Sequence, residues 1–307
     1  MLVVLIAVAV VSVGITAAMS YRIARRAIEY QSFQYLIAVR EMKANQIEDY
    51  LRQIVDQAVT MAESRAIVEA MREFRGAFRS IEQDRSVADG LDEQDLRLYY
   101  QTDFFPRLES MGDAEGNLDD YWPRDETARR LQKTYIYDNP FETGSKHLLD
   151  DARDGSIYSR VHLRYHPWIR NFLERFGYYD IFLIDHETGN IVYSVFKEVD
   201  FGTSLVDGPY WGSNLAEAFQ SARDAGRGKF KIVDFRPYAP SYGGQASFIA
   251  TPIYDGDEVI GVLAFQMPVD RINDIMTSRQ EWSRVGLGKT GETYIVGDYL
   301  TLRNQSR

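Results

Sequence analysis

The stretch YYDIFLIDHETGNIVYSVF, residues 178–196, decides the fold. Residues 179–184 are an apolar run of strand length, 185–189 carry turn-forming Asp, Thr and Gly, and 191–196 are a second β-branched and aromatic run. Two such runs joined by a short turn predict a β-hairpin. Toward the C-terminus, residues 214–223 place Leu215, Ala218 and Phe219 on one face of an amphipathic helix. Residues 230–235, 245–254 and 259–267 read as three further strands, with Asp255-Gly256-Asp257 as the turn between the last two. Residues 269–282 then read as a helix. The order of helix, two strands, helix, three strands and helix predicts an antiparallel sheet with helices packed on it, an α+β module.

Toward the N-terminus the pattern becomes helical. Short helices are expected at 92–100, 106–111, 126–133, 147–152 and 168–176, with an acidic, glycine-containing loop at 112–120. Tyr99, Tyr100, Phe104, Phe105, Tyr121, Trp122, Tyr135 and Tyr137 make this region dense in aromatic rings, which cover a sheet or line a pocket. Residues 20–85 contain no proline and one glycine, Gly76, and read as a long helix. Ile47, Leu51, Ile54, Ala58 and Met61 alternate spacings of four and three, a heptad seam. The seam suits either pairing with a second copy of the helix or packing onto the chain's own domain. Residues 1–19 carry no charged side chain, and at about 1.5 Å per residue they span roughly 28 Å, the thickness of a bilayer's hydrocarbon core. A cleaved secretory peptide would need a basic leader and a shorter apolar run, so a retained transmembrane helix is expected. Arg22, Arg25 and Arg26 follow this run, and the positive-inside rule alone would place the remainder in the cytoplasm.

Composition excludes several functions. A net charge of -10 argues against nucleic acid as a partner. With no cysteine there is no disulfide framework, thiolate nucleophile or thiolate metal site. GLGKTG at 286–291 matches the spacing of a dinucleotide fingerprint, but a helix is expected before it and a strand, 292–296, after it, the reverse of what phosphate binding needs. His162 and His166 have a spacing that could hold zinc on a helix, but Pro167 is expected to interrupt that helix, and structural histidines are the plainer reading. Asp150, Asp151 and Asp154 lack the spacing of a calcium loop and read as a solvated acidic turn. No serine lies in a nucleophile-elbow context. No catalytic residue, metal or cofactor is expected, and no enzymatic activity of this chain.

The stretches YYDIFLIDHETGNIVYSVFKEVDFGTSL, GPYWGSNLAEAF and DFRPYAPSYGGQASFIATPIYDGDEVIGVLAFQMPVDRIND together resemble the membrane-distal, PAS-like module of a double Cache sensor region. GLGKTGETYIVGDYLTLRNQSR resembles the opening of the second, membrane-proximal module, and QSFQYLIAVREMKANQIEDYLRQI the helical lead-in after the first membrane helix. The resemblance implies a transmembrane helix at 1–19, a stalk helix at 20–85, a distal Cache module at 86–282 and the start of a second module at 283–307. It implies the sensing region of a bacterial receptor in the inner membrane, with the module in the periplasm, which outweighs the charge rule. It further implies that the receptor continues beyond Arg307 into a second membrane helix, a HAMP linker and a cytoplasmic output. Among outputs a methyl-accepting chemotaxis protein ranks first, then a histidine kinase, then an adenylate or guanylate cyclase. A membrane-anchored enzyme is the remoter alternative, and a homodimer through the stalk helix is expected.

The resemblance also places the ligand. Amino-acid-binding Cache modules use an Arg-x-Trp-Tyr element for the ligand carboxylate and an aspartate near the end of the last strand for its ammonium. Tyr210 and Trp211 fall on the aromatic pair, Gly208 where the arginine would stand, and Gln266 where the aspartate would stand. With both charge partners of a zwitterion missing, the expected ligand is a small molecule other than an ordinary α-amino acid. Asp234, Arg236 and Tyr238 are expected to line the same pocket, with a surface salt bridge at a strand end as the alternative for the charged pair.

Overall fold

The computed structural model describes residues 1–81, 93–112, 116–297 and 300–304. One helix, α1 (Leu2–Glu63), contains both the apolar N-terminal run and most of the expected stalk without a break. Its apolar first part is exposed, and it is long and apolar enough to cross a bilayer. The expected stalk is not a single helix to its end. Ser64 adopts an extended conformation, and its hydroxyl accepts from the Ile67 backbone N–H, so it ends one helix and caps α2 (Arg65–Ser80). The expected boundary at residues 85 and 86 lies outside the described residues.

Between stalk and sheet lie α3 (Glu93–Tyr99), α4 (Phe105–Ser110) and α5 (Glu126–Gln132), with single π-helical turns at Tyr100–Phe104 and Lys133–Tyr137. The helix expected at 147–152 is only a 3-10 turn, Lys146–Leu148. By contrast α6 (Ile157–Phe176) starts eleven residues before its expected position and runs straight through Pro167. Proline removes one N–H bond from a helix interior. Here the carbonyl that loses it belongs to Leu163, which is exposed and can be solvated.

The sheet contains β1 (Asp180–Asp185), β2 (Ile191–Ser194), β3 (Lys231–Tyr238), β4 (Gly244–Asp255) and β5 (Glu258–Gln266), with α7 (Asn214–Arg223) in the β2–β3 crossover and α8 (Val269–Thr277) after β5. Its five strands stand in the order β2-β1-β5-β4-β3, every neighbouring pair antiparallel. The hairpin turn is built by Asp185, whose Oδ1 accepts from the Glu187 and Thr188 N–H groups at 2.8 and 3.1 Å. Its Oδ2 accepts from Arg75 at 2.7 Å, tying α2 to the turn. Pro237 and a bulge between Val233 and Arg236 fall on β3, an edge strand, where a missing ladder donor is tolerated.

Helices cover both faces. α1 and α2 pack across β4 and β5, and α7 packs on β3, β4 and β5. A Cβ on Gly261 would lie 2.6 Å from the Met71 sulfur, so this glycine sets how closely α2 approaches. Ile67, Ala70, Met71, Phe74, Ala77 and Phe78 form the buried stripe of α2. The heptad seam belongs to the same core. Ile54, Ala58 and Met61 are buried in it, and Ile47 and Leu51 pack against it. The seam residues thus follow the second sequence reading, packing onto the chain's own domain. Beyond α8 the chain turns, and residues 292–296, expected as a strand, form no strand and make one isolated bridge, Val296 to Leu302.

Ile54→Ala removes a fully packed side chain from beneath the sheet. A loss of about 2–4 kcal/mol is expected, read as a lower urea midpoint at unchanged slope. Ile54→Cys, Ala58→Cys and Met61→Cys introduced singly are expected to give no cross-link between copies. Disulfide-linked dimers at all three positions would place the seam between copies instead.

Candidate functional site

The sequence-selected residues divide between two environments. Tyr210, Trp211, Arg236 and Tyr238 line one cleft of about 550 Å³, between residues 209–214 and 236–243. That volume suits a small metabolite. Trp211 is 61% exposed and stands at the rim. Arg236 also stands at the rim, where its guanidinium bonds Glu217 of α7. Asp234 lies outside the cleft and is bound by Arg303 at 2.7 Å. The surface salt bridge, the alternative weighed for these two charges, describes both. Gly208 packs on the Ser204 backbone, and a Cβ there would sit 2.3 Å from the Ser204 carbonyl oxygen. No arginine fits that position without moving the loop.

Tyr210, Tyr238 and Gln266 are buried beside two acids that sequence reasoning did not select, Glu198 and Asp200, but Gln266 lines a separate pocket with Tyr179 and Ser241 rather than the cleft. Tyr238 donates to Asp200 Oδ2 at 2.5 Å. Tyr179 and Ser241 donate to Glu198 at 2.7 and 2.8 Å, and Gln266 Nε2 donates to the Ser241 hydroxyl at 3.1 Å. Both acids sit on the loop after β2, which Gln132 of α5 fixes from below. Its Nε2 donates to the carbonyls of Val199 and Phe201 at 2.7 and 2.9 Å, and its Oε1 accepts from Tyr100 at 2.8 Å. Gly202 lets α5 come that close: its φ is +83°, and a Cβ would lie 2.8 Å from Ala128 Cα.

Burial raises the Asp200 carboxyl to about 7, against the pull of the Tyr238 bond, with negative Asp180 adding to the rise and nearby backbone N–H groups opposing it. Burial and the charge of Asp200 push Glu198 well above the ordinary carboxylate range. Lys197, on the same loop, turns away to the Ser194 carbonyl and to Asp180. Burial lowers the Lys197 ammonium and raises the Asp180 carboxyl, which their mutual attraction opposes.

His162 and His166 stack at 4.2 Å inside the core. His162 Nδ1 donates to the Asp150 carbonyl and His166 Nε2 to the His147 carbonyl, at 2.9 and 2.8 Å. Burial holds both well below the ordinary imidazole range. These are structural roles. Around GLGKTG, turns precede and a segment without regular structure follows, and the Tyr35 hydroxyl bonds the Val285 carbonyl beside it.

No family model matches the sequence, and no curated protein matches it. Among solved structures, the V. cholerae histidine kinase DctB sensor domain is similar, at 17% identity and a TM-score of 0.28. The match covers 60% of this chain and 60% of that one. The fold described above rests on strand order and register.

Because Asp200 keeps its proton to about pH 7 when folded but loses it near 3.8 when unfolded, it contributes stability at low pH that is lost progressively as pH rises to about 7. The groups facing it are Tyr238, Glu198, Asp180, Tyr210 and Tyr100. Asp200→Asn, which cannot ionise, is expected to be more stable than the parent at pH 8, by on the order of 2–4 kcal/mol, with the difference narrowing toward pH 4. Denaturant titrations at the two pH values measure it.

Proposed function

We propose that this chain is the extracytoplasmic ligand-sensing region of a bacterial transmembrane receptor, anchored in the inner membrane through residues 1–19 with its α+β module in the periplasm. One observation carries the reading. The apolar, exposed start of α1 continues without a break into the turns buried beneath the sheet, while the cleft opens on the sheet's other face. A ligand that shifts the crossover loop against β3–β5 therefore acts on the helix that enters the membrane. Displacements on the order of 1–2 Å suffice where they bias a two-state element. Lys43 strengthens the link at the base, bonding the Ile275 carbonyl and the Ser278 hydroxyl at the end of α8.

Within this reading the module is the PAS-like distal half of a double Cache region, and its ligand is a small molecule other than an ordinary α-amino acid. The output is a chemoreceptor of the methyl-accepting type, with a histidine kinase or a nucleotide cyclase as the alternatives. Homodimerisation falls to the part of the stalk that stays exposed, around Ile23, Ile28, Tyr30 and Phe33.

Two measurements test this. An alkaline phosphatase fused after Arg307 is expected to be active in cells, and activity of a cytoplasmic reporter at that position refutes the orientation. A thermal-shift screen of small metabolites on the full chain in detergent is expected to find a stabilising compound, since binding at a hundredfold excess over Kd adds about 2.7 kcal/mol. Trp211→Ala is expected to reduce that shift, and Tyr238→Phe to reduce it further.

A further inference from the structure

The end of α8 is not encoded in its own residues. Residues 269–282 read as one helix, yet α8 stops at Thr277. Ser278, Arg279 and Gln280 follow with φ of +53°, +57° and +63°. Left-handed backbone crowds the Cβ of an L residue, and only glycine adopts it freely. Helices commonly close on one such residue, usually a glycine. Here three stand in succession, and none is glycine, asparagine or aspartate. Such conformations persist only where the surroundings impose them. Ser278 takes the place of the glycine in a Schellman motif. The Arg279 N–H bonds the Asp274 carbonyl at 2.9 Å, and the Ser278 N–H reaches the Ile275 carbonyl at 3.4 Å.

The constraint comes from side chains elsewhere in the chain. A helix continued through 280 would give the Arg279 N–H to the Ile275 carbonyl and the Gln280 N–H to the Met276 carbonyl. The buried Lys43 ammonium of α1 bonds the Ile275 carbonyl, and it bonds the Ser278 hydroxyl at 2.7 Å. With Lys43 and the Ser278 N–H, both lone pairs of that carbonyl are engaged. The Thr293 hydroxyl donates to the Met276 carbonyl at 2.7 Å, and the Gln280 N–H turns instead to the Thr277 hydroxyl at 3.1 Å. A second helix end stands just beyond. The Leu287 N–H bonds the Trp282 carbonyl at 3.0 Å, the Gly286 N–H bonds the Ser283 carbonyl at 3.2 Å, and Gly286 has φ +81°. This is the same closing motif, now with its glycine. Residues 278–285 contain neither glycine nor proline, and their Arg, Gln and Glu favour helix. Arg279, Gln280 and Glu281 are exposed, so no packed side chain opposes their rotation.

We propose that residues 278–280 are a two-state break in a single helix that runs from Val269 to Val285. In the state described, Lys43 and Thr293 hold the break left-handed. A shift of α1 that withdraws Lys43 frees the Ile275 carbonyl for the Arg279 N–H. The three residues then turn right-handed, and α8 lengthens to the stop already built at Gly286. The Met276 carbonyl, with two lone pairs, can serve Gln280 and Thr293 together. Movement of α1 is thereby converted into a change of helix length where the sheet module passes into the segment that follows. The two states follow from backbone geometry and hydrogen bonding, so the switch stands or falls separately from the sensory reading.

The test is amide hydrogen exchange on the full chain in detergent, read over residues 279–285. Lys43→Met keeps the reach of the side chain and removes its three donors. It is expected to slow exchange over this stretch by about tenfold or more, because helical bonds form there. Arg279→Gly and Gln280→Gly added to Lys43→Met favour the left-handed turn and are expected to return exchange to the parent's rate. Faster or unchanged exchange in Lys43→Met overturns the switch, since a contact that is merely lost lets the stretch fray. Slowed exchange that the two glycines leave in place overturns it as well. In the parent, Arg279→Gly alone is expected to raise the melting temperature by about 2 °C or more, by relieving the left-handed conformation. A lower melting temperature overturns the claim that the break is held under strain. Should Lys43→Met not fold, Thr293→Val, which frees the Met276 carbonyl, takes its place with the same expected and overturning results.

Discussion

Coverage of both faces of the antiparallel sheet is the constraint on which the other features depend. β1 and β2 are buried along their whole length, and β5 is buried from Ile260 onward. A strand buried on both sides needs two separate layers to exclude water. The chain supplies them with α1 and α2 on one face, and α7 with the crossover loop on the other. Each large apolar side chain placed between these layers contributes about 1.5–3 kcal/mol. That energy holds α1 against the sheet and leaves little freedom for the two to slide independently.

The second layer is polar where the first is not. The α2 side of the sheet meets Ile67, Met71 and Phe74, whereas the crossover side holds Asp180, Glu198, Asp200, Asn214 and Gln266 in nearly complete burial. Buried charge without a cationic partner is among the costliest arrangements in a folded protein. The fold tolerates it because Tyr179, Tyr238 and Ser241 donate hydrogen bonds and because burial shifts the acids toward their neutral forms. Destabilised groups of this kind cluster at functional sites.

The loop carrying these acids is positioned from a distance. Gln132 reaches from α5 to the carbonyls of Val199 and Phe201, one on each side of Asp200. Tyr100 orients Gln132 in turn, and Trp122 and Phe104 pack on Tyr100 at 5.2 and 5.4 Å. The aromatic-rich region before the sheet therefore covers the crossover and sets the position of the acids within it. A change of packing there reaches the loop that carries the acids through Gln132.

Several elements were legible in the sequence because local physics alone specifies them. Two apolar runs of strand length and the turn chemistry between them marked the hairpin at 179–196, and helix α7 falls on 214–223 because its capping Ser213 and apolar face are adjacent in the chain. The nineteen uncharged residues at the start needed no tertiary partner to be read as a membrane-length helix. The sequence alone left open what the heptad seam packs against, since the same stripe suits a second copy or the chain's own sheet. It gave no sign that α6 would run through Pro167, four residues after Leu163 at the surface of the helix. Of the selected site residues, Tyr210 and Tyr238 line one cleft and Gln266 a separate pocket, while Asp234 and Arg236 turn to partners 69 and 19 residues away. Glu198 and Asp200 looked like ordinary acids in a loop, because nothing in KEVDFG shows that Gln132, some seventy positions earlier, will draw that loop into the core. Periodicity and turn chemistry are properties of neighbouring residues, so the sequence determined the elements. Burial of a polar group is a property of everything packed around it, so only the tertiary structure decided which acids are drawn into the core.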